Sequence, residues 1–320
     1  MNLGKLLGLA AFAATLGTAP VAAKDLLIGS TSASSSHYGY FVAVAKVINE
    51  QVDGASASVV ETGASFDNLR RLERNQIDMG LLTTNLAQHA LTGTQSEEGK
   101  PYDLRMLWVY SNVIQNVIVR EDSGIESLSD LNGKRFNPGI KGSGTESTAE
   151  AVLRTLGIEP EMVRGSTTDV VGLVKDNRIA GYIKSGVGEK LDSSTLDIQT
   201  FTPIRVLSLT EEQKATLREK MPDISVVEIA GEGEVPARDT WSFAVGVVVP
   251  ATMDEELAYQ ITKAILEDDK IQGAAMASVK GVDLGQLTID YSTVPLHPGA
   301  LRYFEESGRT VPDRLKPDAS

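Results

Sequence analysis

Short apolar runs alternate along this chain with stretches of helical periodicity, and the junctions that lead into the helices are made of small polar residues. Residues 25–30 form the first run, a strand that ends in the Ser, Thr and Ala of residues 31–36. His37, Tyr38, Gly39 and Tyr40 then lead into a helix over 41–51, with Val44, Val47 and Ile48 on one face. The pattern repeats at once. Residues 57–61 are a strand, and residues 62–68 turn into a helix holding Leu69 and Leu72. A third strand over 76–82 ends in Thr83, Thr84 and Asn85. Strand followed by helix, repeated, implies a parallel sheet with right-handed crossovers, and ligands of such sheets collect at the carboxyl ends of the strands. All three polar turns lie there.

A loop over 92–101 is followed by strands at 104–110 and 116–119, and Glu121 to Gly124 marks the passage into a second lobe that repeats the grammar. Lys134, Arg135 and Phe136 make a short strand, and then comes Gly139-Ile140-Lys141-Gly142-Ser143-Gly144-Thr145-Glu146-Ser147. It runs straight into a helix over 148–156, whose Ala149, Val152, Leu153 and Leu156 recur at helical spacing. A glycine turn entering a helix leaves backbone N–H groups unpaired and aims the positive end of the helix dipole outward. Such a place holds an anion without a charged side chain, although glycines and hydroxyls before a helix also make an ordinary N-cap. The spacing is not that of a nucleotide loop, since neither a Gly-Lys-Ser/Thr triplet nor G-x-G-x-x-G is present. Further strands are expected at 179–183, stopping at Lys184-Ser185-Gly186-Val187-Gly188, and at 204–207 and 225–229 around a charged helix over 211–220. The apolar stretch 241–249 reads as the return crossing, and helices over 255–266 and 271–279 close the chain.

The expected architecture is therefore α/β: a two-lobed, type II-like periplasmic binding fold with parallel-rich sheets flanked by helices and a hinge of two crossing strands. Residues 24–112 with 235–320 would form lobe 1 and residues 113–234 lobe 2. That shape buries a ligand between its lobes.

Composition narrows the function. Lys5, an uncharged apolar stretch over 6–21 and the small residues Val21-Ala22-Ala23 fit a secretory signal over 1–23. With no cysteine there is neither a lipid-anchor cysteine nor a disulfide framework. A periplasmic location is expected. The formal charge of −13 becomes −14 without the signal, because Lys5 is the only charged residue it contains. That balance argues against nucleic acid and anionic membranes, while leaving the sign of a local pocket open.

Four motifs carry a resemblance: Pro295-Leu296-His297-Pro298-Gly299-Ala300-Leu301-Arg302-Tyr303-Phe304, Asp130-Leu131-Asn132-Gly133-Lys134-Arg135, Gly142-Ser143-Gly144-Thr145 and Thr62-Gly63-Ala64-Ser65-Phe66-Asp67-Asn68-Leu69. Together, and in the order 62–69, 130–135, 142–145 and 295–304 in which they stand along the mature chain, they resemble the TAXI family, the TRAP-associated extracytoplasmic solute receptors. The resemblance implies a periplasmic receptor that captures a small organic anion, a dicarboxylate or glutamate-like molecule such as 2-oxoglutarate. It would deliver that anion to the small and large membrane subunits of a tripartite, ATP-independent transporter. Carried over by motif, the ligand loops would be Ser36-His37-Tyr38, Ser65 to Asn68, Thr83-Thr84-Asn85, Ser143-Gly144-Thr145 and Gly186-Val187, with Ser36, His37, Tyr38, Ser65, Asn68, Thr84, Asn85, Ser143, Gly144, Thr145, Gly186 and Val187 as the ligand-binding residues. The chain departs from the family in having His37-Tyr38 for two tyrosines, Gly63-Ala64-Ser65 for Gly-Gly-Ser and Gly188 for a proline. Lys141 and Lys184 also stand where the family tends to be uncharged.

Those two lysines fall in expected strand-end loops of the second lobe and are candidates to pair with a ligand carboxylate, or else are solvated at the rim. His37 either bonds a ligand oxygen or packs as a ring. His297 is expected to fix a turn, and Trp108 and Trp241 to fill cores. A secreted hydrolase is disfavoured, because G-x-S-x-G is absent and no histidine has a triad setting. No H-E-x-x-H or Cys/His cluster calls for a metal, and no cofactor is expected. The remaining alternative keeps the fold but serves an ATP-driven importer of phosphate or a vitamin precursor.

Overall fold

Two strands much longer than the rest organise the molecule. The computed structural model describes residues 24–33, 35–94, 99–187, 191–231 and 235–317. The signal expected over 1–23, Gly188 and residue 234 at the expected lobe boundary lie outside them. The first lobe begins with β1 (Lys24–Gly29), α1 (Ser36–Gln51), β2 (Ala55–Val60), α2 (Ser65–Glu73), β3 (Met79–Thr83) and α3 (Thr84–Thr92). The long β4 (Leu104–Arg120) leads to β5 (Arg135–Asn137), α4 (Gly144–Thr155), β6 (Glu161–Met162), α5 (Thr167–Lys175), β7 (Gly181–Val187), α6 (Ser193–Gln199), β8 (Ile204–Leu207), α7 (Glu211–Lys220) and β9 (Ser225–Ile229). The long β10 (Arg238–Pro250) returns the chain to α8 (Glu255–Glu267), α9 (Ile271–Ala275), α10 (Leu284–Tyr291) and α11 (Pro298–Glu306).

The strands join in one sheet of order β2-β1-β3-β10-β4-β7-β5-β6, with β8 also beside β4 and β9 beside β10. Pairing is parallel among β1, β2 and β3 and among β5, β6 and β7. The ladders made by β4 and β10 are all antiparallel. A parallel βα unit thus occupies each end, and two crossing strands join them, as the alternation of strand and helix requires.

Three expectations need correcting. The helix expected over 271–279 ends at Ala275, because Met276 is extended, and a separate 3-10 turn follows over Ala277–Val279. Residues 104–110 and 116–119 are the ends of a single strand of 17 residues. Ser111, Asn112 and Gln115 look like a break because they interrupt the apolar run. Their backbone nevertheless stays in the ladder, residues 111–114 against 242–245 of β10 and residues 113–116 against 184–187 of β7. For the same reason Lys184, Ser185, Gly186 and Val187 are not in a loop. They belong to β7, with Lys184 opposite Asn116.

Apolar packing changes hands along the crossing strands. On β4, Val113 packs into the first-lobe core and Val117 and Val119 into that of the second; on β10 the change falls between Trp241 and Phe243. A third cluster, with Val170, Val174, Tyr182 and Ile198, lies under α5 and α6. Between the cores sits a buried polar layer of Gln115, Asn116, Arg238, Thr240 and Ser242. Arg238 Nε donates to Asn116 Oδ1 at 2.8 Å, and the Thr240 hydroxyl donates to the Gln115 carbonyl. Trp108 and Trp241 are fully buried. His297 holds the start of α11, accepting from the Gly299 N–H at 3.2 Å through Nδ1 and donating from Nε2 to the Met253 carbonyl at 3.1 Å.

Gly181 opens β7 against β4 so closely that a Cβ there would collide with the Ile118 carbonyl and the Val119 Cα. Gly181→Ala is expected to lower stability by about 1–3 kcal/mol, the usual range for overpacking, read as a lower urea midpoint.

Candidate functional site

The polar turns after β1, β2, β3 and β5 converge on the cleft between the lobes, where a cavity of about 160 Å³ lies. Its wall takes in the N-cap residues of four helices: Ser35 of α1, Ala64 of α2, Thr83 of α3 and Ser143 of α4. Ser35 and Ser143 cap their own helices, their hydroxyls accepting from the His37 N–H at 3.2 Å and the Glu146 N–H at 3.1 Å. The next N–H groups, those of Ser65, Gly144 and Thr145, find no partner among the described residues. Four positive helix ends, two of them with unpaired donors, make an anion-favouring enclosure. Thr83 is 4% exposed, and its hydroxyl oxygen has no partner. A buried hydroxyl left in that state costs about 1–3 kcal/mol, a deficit that a ligand in the cavity would remove.

The charged side chains on the wall are Lys141 and Lys184; among the described residues no carboxylate lines it. The remainder is hydroxyls, including Thr31, Ser32, Thr62 and Ser185, and apolar groups from the ends of both cores, including Val113, Ile183, Phe243 and Val245. An adjoining chamber of about 380 Å³ shares His37 and Lys184 and brings in Asp192, whose carboxylate stands 4.0 Å from Lys184 Nζ. His37 Nδ1 is 2.8 Å from the Tyr110 hydroxyl. Burial, helped by the Lys184 cation, pushes the His37 pKa down to about 4, so the ring is neutral at physiological pH.

Of the expected ligand residues, the cavity brings together His37, Ser65, Lys141, Ser143, Gly144, Thr145 and Lys184. Ser36 and Gly186 line the adjoining chamber instead. Tyr38 lines neither, and Val187 ends β7 opposite Val113. Three more are committed to structure. Asn68 is buried beneath the site, its amide donating to the carbonyls of Ser30 at 2.8 Å and Leu81 at 2.9 Å. The Thr84 hydroxyl accepts from the Ala244 N–H at 3.3 Å. Asn85 donates to Thr148 Oγ1 at 2.7 Å. Motif position alone does not distinguish helical residues that face inward, as these three do, from those that face the cleft. Phe243 and Val245 were missed because nothing in an apolar crossing strand marks the residues that face the cavity.

The lobes touch around the cavity. Besides Asn85 and Thr148, the Phe66 N–H of α2 donates to the Gly142 carbonyl at 3.3 Å. Gly144 lies so near Thr83 that a Cβ would strike its side chain.

Residues 28–308 match the NMT1-like family. The chain belongs to that family. Its fold is that of solved binding proteins of low identity. PhnD1 from Prochlorococcus marinus, in complex with methylphosphonate, superposes with a TM-score of 0.53 at 13% identity, over 80% of this chain and 89% of that one. The Xanthomonas citri protein XAC2383 bound to ATP gives 0.52 at 15%, over 88% and 99%. The periplasmic sulfonate-binding protein SsuA from Methylobacillus flagellatus gives 0.50 at 12%, over 92% of each chain. This member of the NMT1-like family thus carries a two-lobed periplasmic-binding-protein fold with a cavity between the lobes.

Two consequences of this geometry are measurable. Ala64 adopts φ 72° and ψ −151°, a region that is nearly glycine-only and costs other residues about 1–3 kcal/mol. Ala64→Gly is expected to raise stability by about 1 kcal/mol despite the greater chain entropy of glycine, measured by denaturant unfolding. As to pH, the unfolded chain protonates His37 near 6.5 while the fold lowers that value to about 4. Neutral His37 therefore contributes stability that is complete above pH 6.5 and is lost as pH falls to about 4. Between these limits the unfolding midpoint of His37→Asn should fall less steeply than that of the wild type.

Proposed function

We propose that this chain is a periplasmic solute receptor that captures a small organic anion between its lobes, and that it binds without turning over its ligand. The observation that carries this reading is the charge of the wall: two lysine cations and four positive helix ends, with no carboxylate among the described residues. An anion entering there exchanges water for N–H donors already held in place, and exclusion of water strengthens each contact. In this reading residues 24–112 with 235–320 form one lobe and residues 113–234 the other. His37, Ser65, Lys141, Ser143, Gly144, Thr145 and Lys184 face the ligand, with the Thr83 hydroxyl as an added donor. The cavity volume suits a ligand the size of a dicarboxylate such as 2-oxoglutarate, or glutamate.

For the partner, the four motifs shared with the TAXI receptors favour the membrane subunits of a TRAP transporter, small and large, separate or fused. The second reading is an ATP-driven importer. It is favoured by the fold shared with the sulfonate-binding protein SsuA, named with a sulfonate ABC transporter, and with the methylphosphonate complex of PhnD1. Uptake reconstituted with a TRAP membrane pair, in the absence of ATP, separates the two.

Calorimetric titration with dicarboxylates, glutamate, sulfonates, methylphosphonate and phosphate is expected to find at least one tight anionic ligand. Lys184→Gln should weaken it by about tenfold or more, the worth of a hydrogen bond to a charged group. No binding by any of these anions, or measured turnover of a substrate, would end the reading.

A further inference from the structure

Tyr110 lies on β4 behind the cavity wall and is 1% exposed. Its ring stacks on Tyr40, with centroids 4.2 Å apart and planes 16° from parallel, and meets Phe41 edge-on at 5.8 Å. Burial raises its pKa well above the ordinary tyrosine value, so the hydroxyl keeps its proton. Among the described residues that proton has one acceptor within reach, His37 Nδ1 at 2.8 Å. The neighbouring Tyr40 hydroxyl is engaged elsewhere, donating to Gln272 Oε1 at 2.8 Å and accepting from Trp108 Nε1 at 2.9 Å.

One buried proton with one acceptor fixes the direction of the bond. If Nδ1 carried the hydrogen and donated to the Tyr110 oxygen, the phenolic proton would be left buried with nothing to accept it. That arrangement is disfavoured by roughly tenfold or more. The lone pair of the imidazole therefore sits on Nδ1 and its hydrogen on Nε2. Nε2 has no protein partner among the described residues, and the ring lines both the cavity and the adjoining chamber beside Lys184.

We propose that Tyr110, without touching the ligand, fixes His37 as a neutral Nε2–H donor aimed at an oxygen of the bound anion. This rests on the anion-capture reading and sharpens it. Lys141, Lys184, Nε2–H and the free helix N–H groups only donate, so the ligand groups that meet them must be acceptors, while the hydroxyls of the wall and Asp192 in the adjoining chamber can also accept. A 2-oxo dicarboxylate presents an acceptor to each of the donors. Its 2-amino counterpart carries an ammonium that cannot meet His37 Nε2–H and would have to turn to a hydroxyl or to Asp192.

The test begins without ligand. In the full-length protein labelled with ¹⁵N-histidine, NMR should find the His37 proton on Nε2 at pH 7. Tyr110→Phe, which removes a single oxygen, should give a mixture of both tautomers. A proton on Nδ1 in the wild type overturns the proposal whatever binds. The second arm titrates 2-oxoglutarate and glutamate. The wild type should prefer 2-oxoglutarate by about tenfold or more, and Tyr110→Phe should narrow that preference severalfold. An equal preference for glutamate, or a ratio unchanged in Tyr110→Phe, overturns the role in discrimination. Failure of both probes to bind, with the proton on Nε2, overturns the assignment of a 2-oxo dicarboxylate and removes the ligand-facing half of the proposal, while anion capture itself falls only if the sulfonates, methylphosphonate and phosphate fail as well.

Discussion

The antiparallel pairing of β4 with β10 is the constraint from which the rest of the structure follows. Each lobe supplies its own βα units, but the two sets share these strands and would otherwise be separate bodies. Because side chains alternate across a strand, the same pairing decides which residues of β4 and β10 reach the cavity and which enter the cores. Val113, Phe243 and Val245 form part of the cavity wall while belonging to the first-lobe core. The distance between the two sets of helix N-termini is thus set by one ladder of backbone hydrogen bonds.

Along that ladder the interior changes from apolar to polar and back. Buried polar side chains are tolerated where partners satisfy them; Arg238 and Asn116 satisfy each other and Thr240 bonds the Gln115 carbonyl, whereas Gln115 Oε1 and Ser242 Oγ have no partner among the described residues. The buried apolar side chains on either side of the layer fall into separate clusters. In the receptor reading such a boundary would let the two lobes share a sheet and still change their mutual angle.

Much of this was legible in the sequence. Period-two and helical periodicities gave the βα units, and the rule that parallel sheets gather ligands at strand ends pointed to the turns that meet at the cavity. The glycine turn before α4 showed its N-cap and free N–H groups for a local reason, since Ser143 caps a residue three positions later. What stayed hidden was long-range. The polar residues 111–115 look like a loop until β7 and β10 are seen on either side of them. Asn68 looks like a ligand amide until two carbonyls from separate strand ends are found to engage it. Thr83 could be read as part of a polar turn, but the burial of its hydroxyl and its want of a partner depend on Gly144 arriving from the other lobe.

The bonds that tie the lobes together beside the cavity, the buried Asn85 to Thr148 and Phe66 to Gly142, involve none of the charged groups on the cavity wall. They are polar, and water can replace them when the cleft parts. In the receptor reading, the groups that would grip a cargo and the bonds that would delay its escape are therefore different residues. Changes at those bonds would then lengthen or shorten the dwell time without altering the choice of what is carried.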